Sequence, residues 1–249
     1  MIEPFLLSDG GPDLCVTYHP ASTSISGGAV VLCAPFFLEF QRVQLCLREL
    51  AISLAASGQH CFRFDYRGCG DSSGDESSAT LRDWVDDLAR VVNEARDLSG
   101  SEQVHLIGVR AASLVIGSAL DQLGALGNVV LWDPVCDGQA HLDALVGGRD
   151  AMLARNRWLT STDRSRAAED AFGYLLPGKL ADDLASAKAA DWSVATSASL
   201  TAVLTEPADS LPVAFAQQTV KFDCDWLPGE ESLLMPQPVL EALRECVLA

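Results

Sequence analysis

Apolar residues along the chain follow two alternating periods. Short apolar runs such as GAVVLCA (28–34), HCFRFDY (60–66), VHLIG (104–108) and NVVLWDPV (128–135) are typical of buried strands. Between them lie longer stretches with helical spacing, and the first of these, 41–58, ends at the helix terminator Gly58. Strands that are apolar throughout and alternate with helices predict a mostly parallel sheet covered by helices on both faces.

The two ends of the chain extend this pattern. EPFLL and LCVTY, separated by the turn sequence SDGGPD, predict a hairpin at the sheet edge. SLTAVLT (199–205) and VAFAQQTVKFD (213–223) predict two further strands, and 236–249 predicts a closing helix. Between 138 and 195 the strand pattern stops, and the stretches 141–159 and 166–192 have a helical pattern. We therefore predict a core domain, 1–137 and 196–249, interrupted by a helical cap insertion, 138–195.

The composition and net charge of the chain argue against some classes of binding partner. With 17 basic and 34 acidic residues the formal charge is −17, which repels nucleic acid and anionic membrane surfaces. The start MIEPFLLSDGGPD does not resemble a signal peptide, and no apolar run is long enough for a membrane span, so we expect a cytoplasmic protein. The eight cysteines include no C-x-x-C pair. We expect reduced thiols, with no metal and no cofactor.

Three motifs together carry a family resemblance. FRFDYRGCGDSSG (62–74) forms a glycine-rich turn after a strand, HLIGVRAAS (105–113) runs from a strand into a helix, and an insertion follows LWDP (131–134). In these features the chain resembles the α/β-hydrolase fold family, which implies an eight-stranded, mostly parallel sheet with a cap. The segments APFFLEFQR, GVRAAS and LWDPVCDGQAHL are further similar to hydrolase-like proteins associated with the exosortase A system and with some biosynthetic gene sets, in which arginine also occupies the nucleophile position. That similarity implies a protein partner in a biosynthetic or export system.

The glycine-rich turn has a competing interpretation as a dinucleotide-binding loop. Gly68 and Gly70 follow a strand, but the spacing G-x-G-x-x-x-G is wrong and a polar loop comes next instead of a helix. We instead predict a tight structural turn in which Asp65, Arg67 and Asp71 hydrogen-bond the loop backbone.

The residues at the catalytic positions of the family are altered. Acyl transfer on this fold needs a nucleophile at the elbow, a histidine and an acid, but the elbow residue here is Arg110, which stays protonated and cannot attack a carbonyl. The family places its histidine after the last strand, whereas all four histidines of this chain lie at or before His141. The triad acid has possible remnants in Glu206 and Asp209, which we interpret as plain loop carboxylates.

The other histidines and the residues at the oxyanion-hole position also differ from those that acyl transfer requires. His60 and His105 begin strands, at the end opposite the elbow, and we expect them to be structural. After the third strand the family's His-Gly is replaced by a sequence containing Pro35, which has no N–H to donate, although Phe36 and Ala111 still could.

Two interpretations of Arg110 remain open. At a helix N-terminus it could bind a small acyl, carboxylate or phosphate ligand, or it could be neutralised by a protein carboxylate that ties the loops together. Because the strands GAVVLCA and NVVLWDP flank the elbow strand in the family, Glu39 and Asp133 are the predicted partners, and we favour Asp133. The predicted pocket around Arg110 consists of Val109, Ala111, Phe36, Phe37, Glu39, Asp133 and His141.

The function predicted from these residues is a non-catalytic binding or accessory protein, with no catalytic residues. The alternative is an active ester or thioester hydrolase, or an acyltransferase, that uses non-standard groups. Its candidates are Ser113, Cys33, or a water molecule activated by Glu39 or Asp133.

Overall fold

A computed structural model of the chain describes residues 2–22, 27–155, 170–171, 174–189, 198–206, 211, 215–224, 226 and 233–249. Eight strands form the main sheet. They are β1 (Glu3–Leu7), β2 (Leu14–His19), β3 (Gly28–Cys33), β4 (Gln59–Phe64), β5 (Val104–Val109), β6 (Leu126–Trp132), β9 (Ser199–Leu204) and β10 (Ala216–Thr219). Their spatial order is β1-β2-β4-β3-β5-β6-β9-β10, and β2 pairs antiparallel with both of its neighbours while the pairs from β4 to β10 are parallel. The predicted mostly parallel, eight-stranded sheet is confirmed.

Six helices connect or cover these strands in the described part of the chain. They are α1 (Phe37–Ala56), α2 (Leu81–Ser99), α3 (Ala112–Ala119), α4 (Gly138–Arg155), α5 (Gly178–Ser186) and α6 (Gln237–Leu248). The first begins four residues earlier than the sequence pattern suggested, so the phenylalanines at 37 and 40 are helical. None of the described helices is both long and apolar enough to cross a bilayer.

The core lies in two layers because successive side chains of a strand point to opposite faces. In β3, Val31 belongs to the cluster shared with α2 and α3, while Val30 and Leu32 belong to the cluster shared with α1 and α6. All six residues of β3 are buried, so the strand has no solvated face. This double coverage explains why the strands have continuous apolar sequences instead of alternating ones.

Residues near the two ends of the predicted insertion, 138–195, contact each other. Asp137 and Lys188 form an antiparallel bridge there and an exposed ion pair of 3.4 Å. Within the segment the structure describes α4, α5 and a small hairpin of β7 (Asp170–Ala171) and β8 (Tyr174–Leu175). The helical pattern that we assigned to 166–192 is therefore wrong over the hairpin. Pro177 explains why α5 does not extend back into this stretch, because proline disfavours helical backbone at the residue before it.

The turn after β4 is held by a different set of contacts from the predicted one. The carboxylate of Asp65 accepts a hydrogen bond from the backbone N–H of Asp71, as expected of a structural turn. Gly70 has a φ of 53°, and a Cβ there would lie 2.2 Å from Oδ2 of Asp65. Arg67, however, does not bind the loop backbone through its side chain.

The side chain of Arg67 instead joins the loop to α2. Its guanidinium donates to Asp87, which is fully buried, and to Asp83 at 2.8 Å. The two carboxylates lie four residues apart on one face of α2, so they meet the same guanidinium. These hydrogen bonds thus fix the loop to α2, and the two carboxylates compensate the positive charge of Arg67.

We expect His19 to make the stability depend on pH. This buried imidazole accepts a hydrogen bond from Nε of Arg63 at 3.2 Å through Nε2, and burial lowers its pKa from 6.5 to about 4. Its stabilising contribution is complete above the unfolded-state pKa near 6.5 and is lost as the pH falls through about 4. Relative to His19→Gln, which keeps a neutral acceptor, the wild type should lose about 1–3 kcal/mol of unfolding free energy between pH 7 and pH 4.

Urea unfolding of both proteins across this pH range measures the difference, since titrations of all other groups are common to the pair. An identical pH dependence in the two proteins would contradict the assignment of His19.

Candidate functional site

Arg110 lies in a sharp turn between β5 and α3. Its φ is 52°, a left-handed value that costs free energy for any residue other than glycine. Two residues earlier, a Cβ on Gly108 would approach Ile116 Cδ1 to 2.5 Å, so a larger residue there would displace this side chain of α3. The backbone is thus that of a strained strand-to-helix elbow with an arginine at its apex.

Two further residues with positive φ lie at the same edge of the sheet. Phe37, after β3, has a φ of 55°, and Asp133, after β6, has a φ of 41°. Because β3 and β6 flank β5, these residues lie on the two sides of the elbow. Such strain costs about 1–3 kcal/mol per residue and persists only where the surroundings enforce it, which marks this edge as a candidate functional site.

The side chain of Arg110 is held by three groups. Nε donates to Oε1 of Glu39 at 3.0 Å, and an Nη atom donates to the backbone carbonyl of Asp133 at 3.2 Å. The guanidinium carbon also lies 5.1 Å from the ring centre of Trp226, in cation–π geometry. The carboxylate partner is therefore Glu39, and our preference for Asp133 was wrong.

Asp133 is unavailable to Arg110 because other donors use its carboxylate. Its oxygens accept the backbone N–H and the hydroxyl of Thr205, at 2.7 and 2.5 Å, and the indole N–H of Trp226 at 2.9 Å. Asp133 and Thr205 are buried, and their strands, β6 and β9, are neighbours. The acid thus ties two strand ends to the segment that carries Trp226.

Glu39 keeps one oxygen without a partner. The side chain is 2% exposed, and Oε2 has no hydrogen-bond partner among the described residues. His141 of α4 is also buried, and burial lowers its pKa while the negative charge of Glu39 opposes that shift and Arg110 adds to it. Glu39, Arg110 and His141 therefore lie within electrostatic range of one another, and we call them the elbow cluster.

The candidate nucleophiles of the alternative function lie in closed environments. Ser113 is fully buried and donates its hydroxyl to the carbonyl of Val135 at 2.7 Å. Cys33 is also fully buried, and burial raises the pKa of its thiol to about 12, so the reactive thiolate does not form near neutral pH.

A separate cavity opens next to the elbow cluster, at the carboxyl ends of β3 and β4. Its volume is about 350 Å³. The rings that line it come mainly from the start of α1, the end of β4 and the start of α2. They are Phe36, Phe37, Phe40, Phe64, Tyr66 and Trp84. We call this space the aromatic cavity.

Some of the predicted pocket residues lie at the elbow cluster and others line the aromatic cavity. Phe36 and Phe37 line the aromatic cavity, whereas Arg110 does not line it in the described part of the chain. Val109 and Ala111 are fully buried beside the elbow. Pro35 also lines the cavity, so the stretch that replaces the family's His-Gly contributes to its wall.

The two histidines that begin strands lie away from this edge, whereas the two candidate triad acids follow β9. The hydroxyl of Tyr18 is 2.6 Å from Nδ1 of His60, and Nδ1 of His105 accepts the N–H of Asn128 at 3.0 Å. These contacts fit the structural roles expected for both histidines. Glu206 is exposed after β9, and Asp209 lies outside the described residues.

Sequence reasoning missed Thr205 and Trp226. Thr205 follows β9, the neighbour of β6, so the strand-order argument that found Glu39 could have found it as well. Trp226 lies beyond β10 in a stretch with no apolar periodicity, and no sequence pattern marked it.

Comparison with known proteins identifies this architecture. A sequence model of the α/β-hydrolase fold matches residues 43–109, ending one residue before Arg110. No curated protein sequence matches the chain significantly.

Solved structures resemble almost the whole chain. A candidate hydrolase from Agrobacterium vitis S4 is 14% identical with a TM-score of 0.64, and the alignment covers 99% of this chain and 98% of that one. Est1E from Butyrivibrio proteoclasticus, solved with ferulic acid bound, is 15% identical with a TM-score of 0.61, covering 97% and 96%. Mouse alpha/beta hydrolase domain-containing protein 10 is 14% identical with a TM-score of 0.56, covering 97% and 95%. At these identities the likeness establishes the fold alone.

Replacing Arg110 with alanine should destabilise the protein strongly. The change leaves the carboxylate of Glu39 buried and unpaired, so the free energy of unfolding should fall by about 3 kcal/mol or more. Adding Glu39→Gln to the Arg110→Ala variant should recover much of this loss, because no buried charge then remains. Denaturant unfolding of the two variants measures both effects.

Arg48→Ala is the matched control. Arg48 also pairs with a glutamate, Glu49, at 3.1 Å, but both side chains are more than 40% exposed, and the loss should stay below about 1 kcal/mol. Equal losses for Arg110→Ala and Arg48→Ala would contradict the structural role of the buried pair.

Proposed function

We propose that this chain, which has the α/β-hydrolase fold, is a non-catalytic binding or accessory protein organised around Arg110. The observation that carries this proposal is the ion pair between Arg110 and Glu39, which occupies the elbow where the fold family keeps its nucleophile. A guanidinium has no lone pair available for attack and stays protonated at any physiological pH. Covalent acyl transfer at the elbow is therefore lost.

The absence of a late histidine supports the same proposal. A nucleophile on this fold needs a general base that reaches it from the loop after the last strand. The sequence after His141 contains no histidine, and the carboxylate of Asp133 is used by Thr205 and Trp226. No histidine is thus present in the sequence at the expected position to take the proton, and the carboxylate of Asp133 is already engaged by other donors.

The alternative, a hydrolase or acyltransferase with non-standard groups, has less support. The hydroxyl of Ser113 and the thiol of Cys33 are both buried, and the first is engaged by a carbonyl. The Oε2 oxygen of Glu39 has no hydrogen-bond partner among the described residues, which favours a water molecule activated by Glu39, but this oxygen is buried and the other oxygen of the carboxylate is paired with Arg110.

The elbow cluster and the aromatic cavity differ in whether they can accept a ligand. Arg110 already has a carboxylate partner, so the pair disfavours a carboxylate or phosphate ligand at that position. The aromatic cavity beside it is open to a ligand, and a pocket of this kind is the usual place for recognition on an α/β sheet. The resemblance to exosortase A-associated proteins supports an accessory role in a biosynthetic or export system.

A fluorophosphonate probe and a substrate panel test the lack of triad chemistry. We expect no mass increase of the folded protein after incubation with the fluorophosphonate, and no hydrolysis of p-nitrophenyl esters or acyl thioesters above the rate in buffer. An active serine hydrolase treated in parallel controls for probe reactivity. Stoichiometric labelling at Ser113 would contradict the proposal.

Restoring a serine at the elbow should not restore activity. Arg110→Ser combined with Glu39→Gln avoids a buried unpaired carboxylate, yet the new hydroxyl would still lack a histidine to take its proton. Ester hydrolysis by this double variant, measured after thermal unfolding has established that it is folded, would show that a base exists that we have not identified.

A further inference from the structure

The aromatic cavity is preformed, because the rings that line it pack on one another. Phe36 packs on Trp84 with ring centres 4.4 Å apart, and Tyr66 meets Phe64 edge to face at 4.7 Å. Tyr66 also lies 5.4 Å from Trp84, so these rings brace one another. A wall of mutually packed aromatic rings loses little side-chain freedom on binding, which favours affinity.

The described part of the inserted segment contributes to the same space. Tyr174 and Leu180 line the cavity, and the rings of Phe37 and Tyr174 lie 6.3 Å apart. The space is therefore bounded by α1, the loop after β4 and the insertion. A volume of about 350 Å³ falls near the lower end of the ~300–1,000 Å³ typical of small-molecule sites.

The aromatic cavity is larger than the voids that imperfect packing usually leaves in a protein interior. Protein interiors contain few voids larger than a water molecule, because unfilled apolar space forfeits contacts on every wall. Here Phe37 and Phe40 stay only half-buried although each carries a large apolar ring. A flat apolar ligand would give these rings contacts that the described residues do not supply.

The charges around the cavity disfavour an anion. The guanidinium of Arg67 is paired with Asp83 and with the fully buried Asp87. Asp65 lines the cavity, and burial together with the negative charge of Asp71 raises the pKa of its carboxyl group. A negative ligand would meet the carboxyl group of Asp65, and no unpaired cation among the described lining residues would offset that contact.

The polar part of the lining lies at the start of α1. Gln41 and Gln44 are exposed, and they lie three residues apart on the helix face that carries Phe37 and Phe40. Their amides can donate and accept hydrogen bonds without carrying charge. The lining thus combines an aromatic interior with a neutral polar edge.

We propose that the aromatic cavity binds an uncharged ligand with a flat, apolar ring system, whose polar end lies at Gln41, Gln44 and Asp65. This inference rests on the proposed function, in which a ligand is held without being cleaved. The site is distinct from the elbow cluster, so the binding of a neutral ring does not require Arg110.

A matched pair of fluorescent probes tests the inference. N-phenyl-1-naphthylamine is neutral, and 8-anilino-1-naphthalenesulfonate has the same ring skeleton with an added sulfonate. We expect the neutral probe to bind with a blue-shifted, stronger emission and an affinity about tenfold or more above that of the sulfonate. Because Trp84 lines the cavity, bound probe should quench part of the tryptophan emission, and Trp84→Phe should reduce that quenching.

Two variants on the same helix locate the binding site. Phe40→Glu places a carboxylate in the cavity wall and should weaken the neutral probe by about tenfold or more. Leu45→Glu makes the same change on another face of α1, at a residue that is 38% exposed, and should bind like the wild type. Thermal unfolding verifies that both variants fold, and Phe40→Gln replaces Phe40→Glu if the charge prevents folding.

The outcomes separate this inference from the proposed function. Absence of probe binding, equal binding by the Phe40 and Leu45 variants, or tighter binding of the sulfonate would overturn the inference and leave the lack of triad chemistry standing. Probe binding as expected, accompanied by fluorophosphonate labelling of the protein, would overturn the proposed function and leave the ligand class standing.

Discussion

A guanidinium in a partly buried position needs a charged partner, and this requirement organises the carboxyl edge of the sheet. Arg110 meets Glu39 from α1, the carbonyl of Asp133 after β6, and the ring of Trp226 from beyond β10. One side chain thus joins three segments that are far apart in the sequence. Breaking the pair would leave Glu39, which is 2% exposed, without a counterion, so the pair holds the loops in one arrangement.

The strained backbone depends on the same contacts. Phe37, Arg110 and Asp133 all adopt positive φ values, which unconstrained loops would relax. Glu39 lies two residues after Phe37 in the first turn of α1, so its ion pair also holds the start of that helix in place. Because Phe37 and Phe40 lie on that helix, the elbow cluster indirectly fixes part of the wall of the aromatic cavity. The cluster therefore positions the cavity without lining it.

Most of the sheet could be predicted from the sequence, and part of the site could as well. Continuous apolar runs identified β3 to β6, and strand order then brought Glu39 and Asp133 to the two sides of Arg110. Strand order could not decide which of the two carboxylates pairs with Arg110, because other hydrogen-bond donors compete with Arg110 for Asp133. Thr205 and Trp226 supply better-placed donors to Asp133, and Trp226 comes from a stretch with no periodic pattern. The hairpin at 170–175 was missed because its residues also fit a helical pattern.

Glu39 and Arg110 stabilise each other, so neither residue can be replaced alone without a loss of stability. This limits which catalytic residues the elbow could acquire. A serine at 110 on its own would leave the buried carboxylate of Glu39 without a counterion, so the chemistry of the elbow cannot change without a change at 39. The aromatic cavity is under no such constraint, because its interior depends on ring packing and its polar edge on neutral amides. Under the proposed function, the residues that line the aromatic cavity can therefore vary without a change in the pair of Arg110 and Glu39, and that pair stabilises the start of α1, which carries part of the cavity wall.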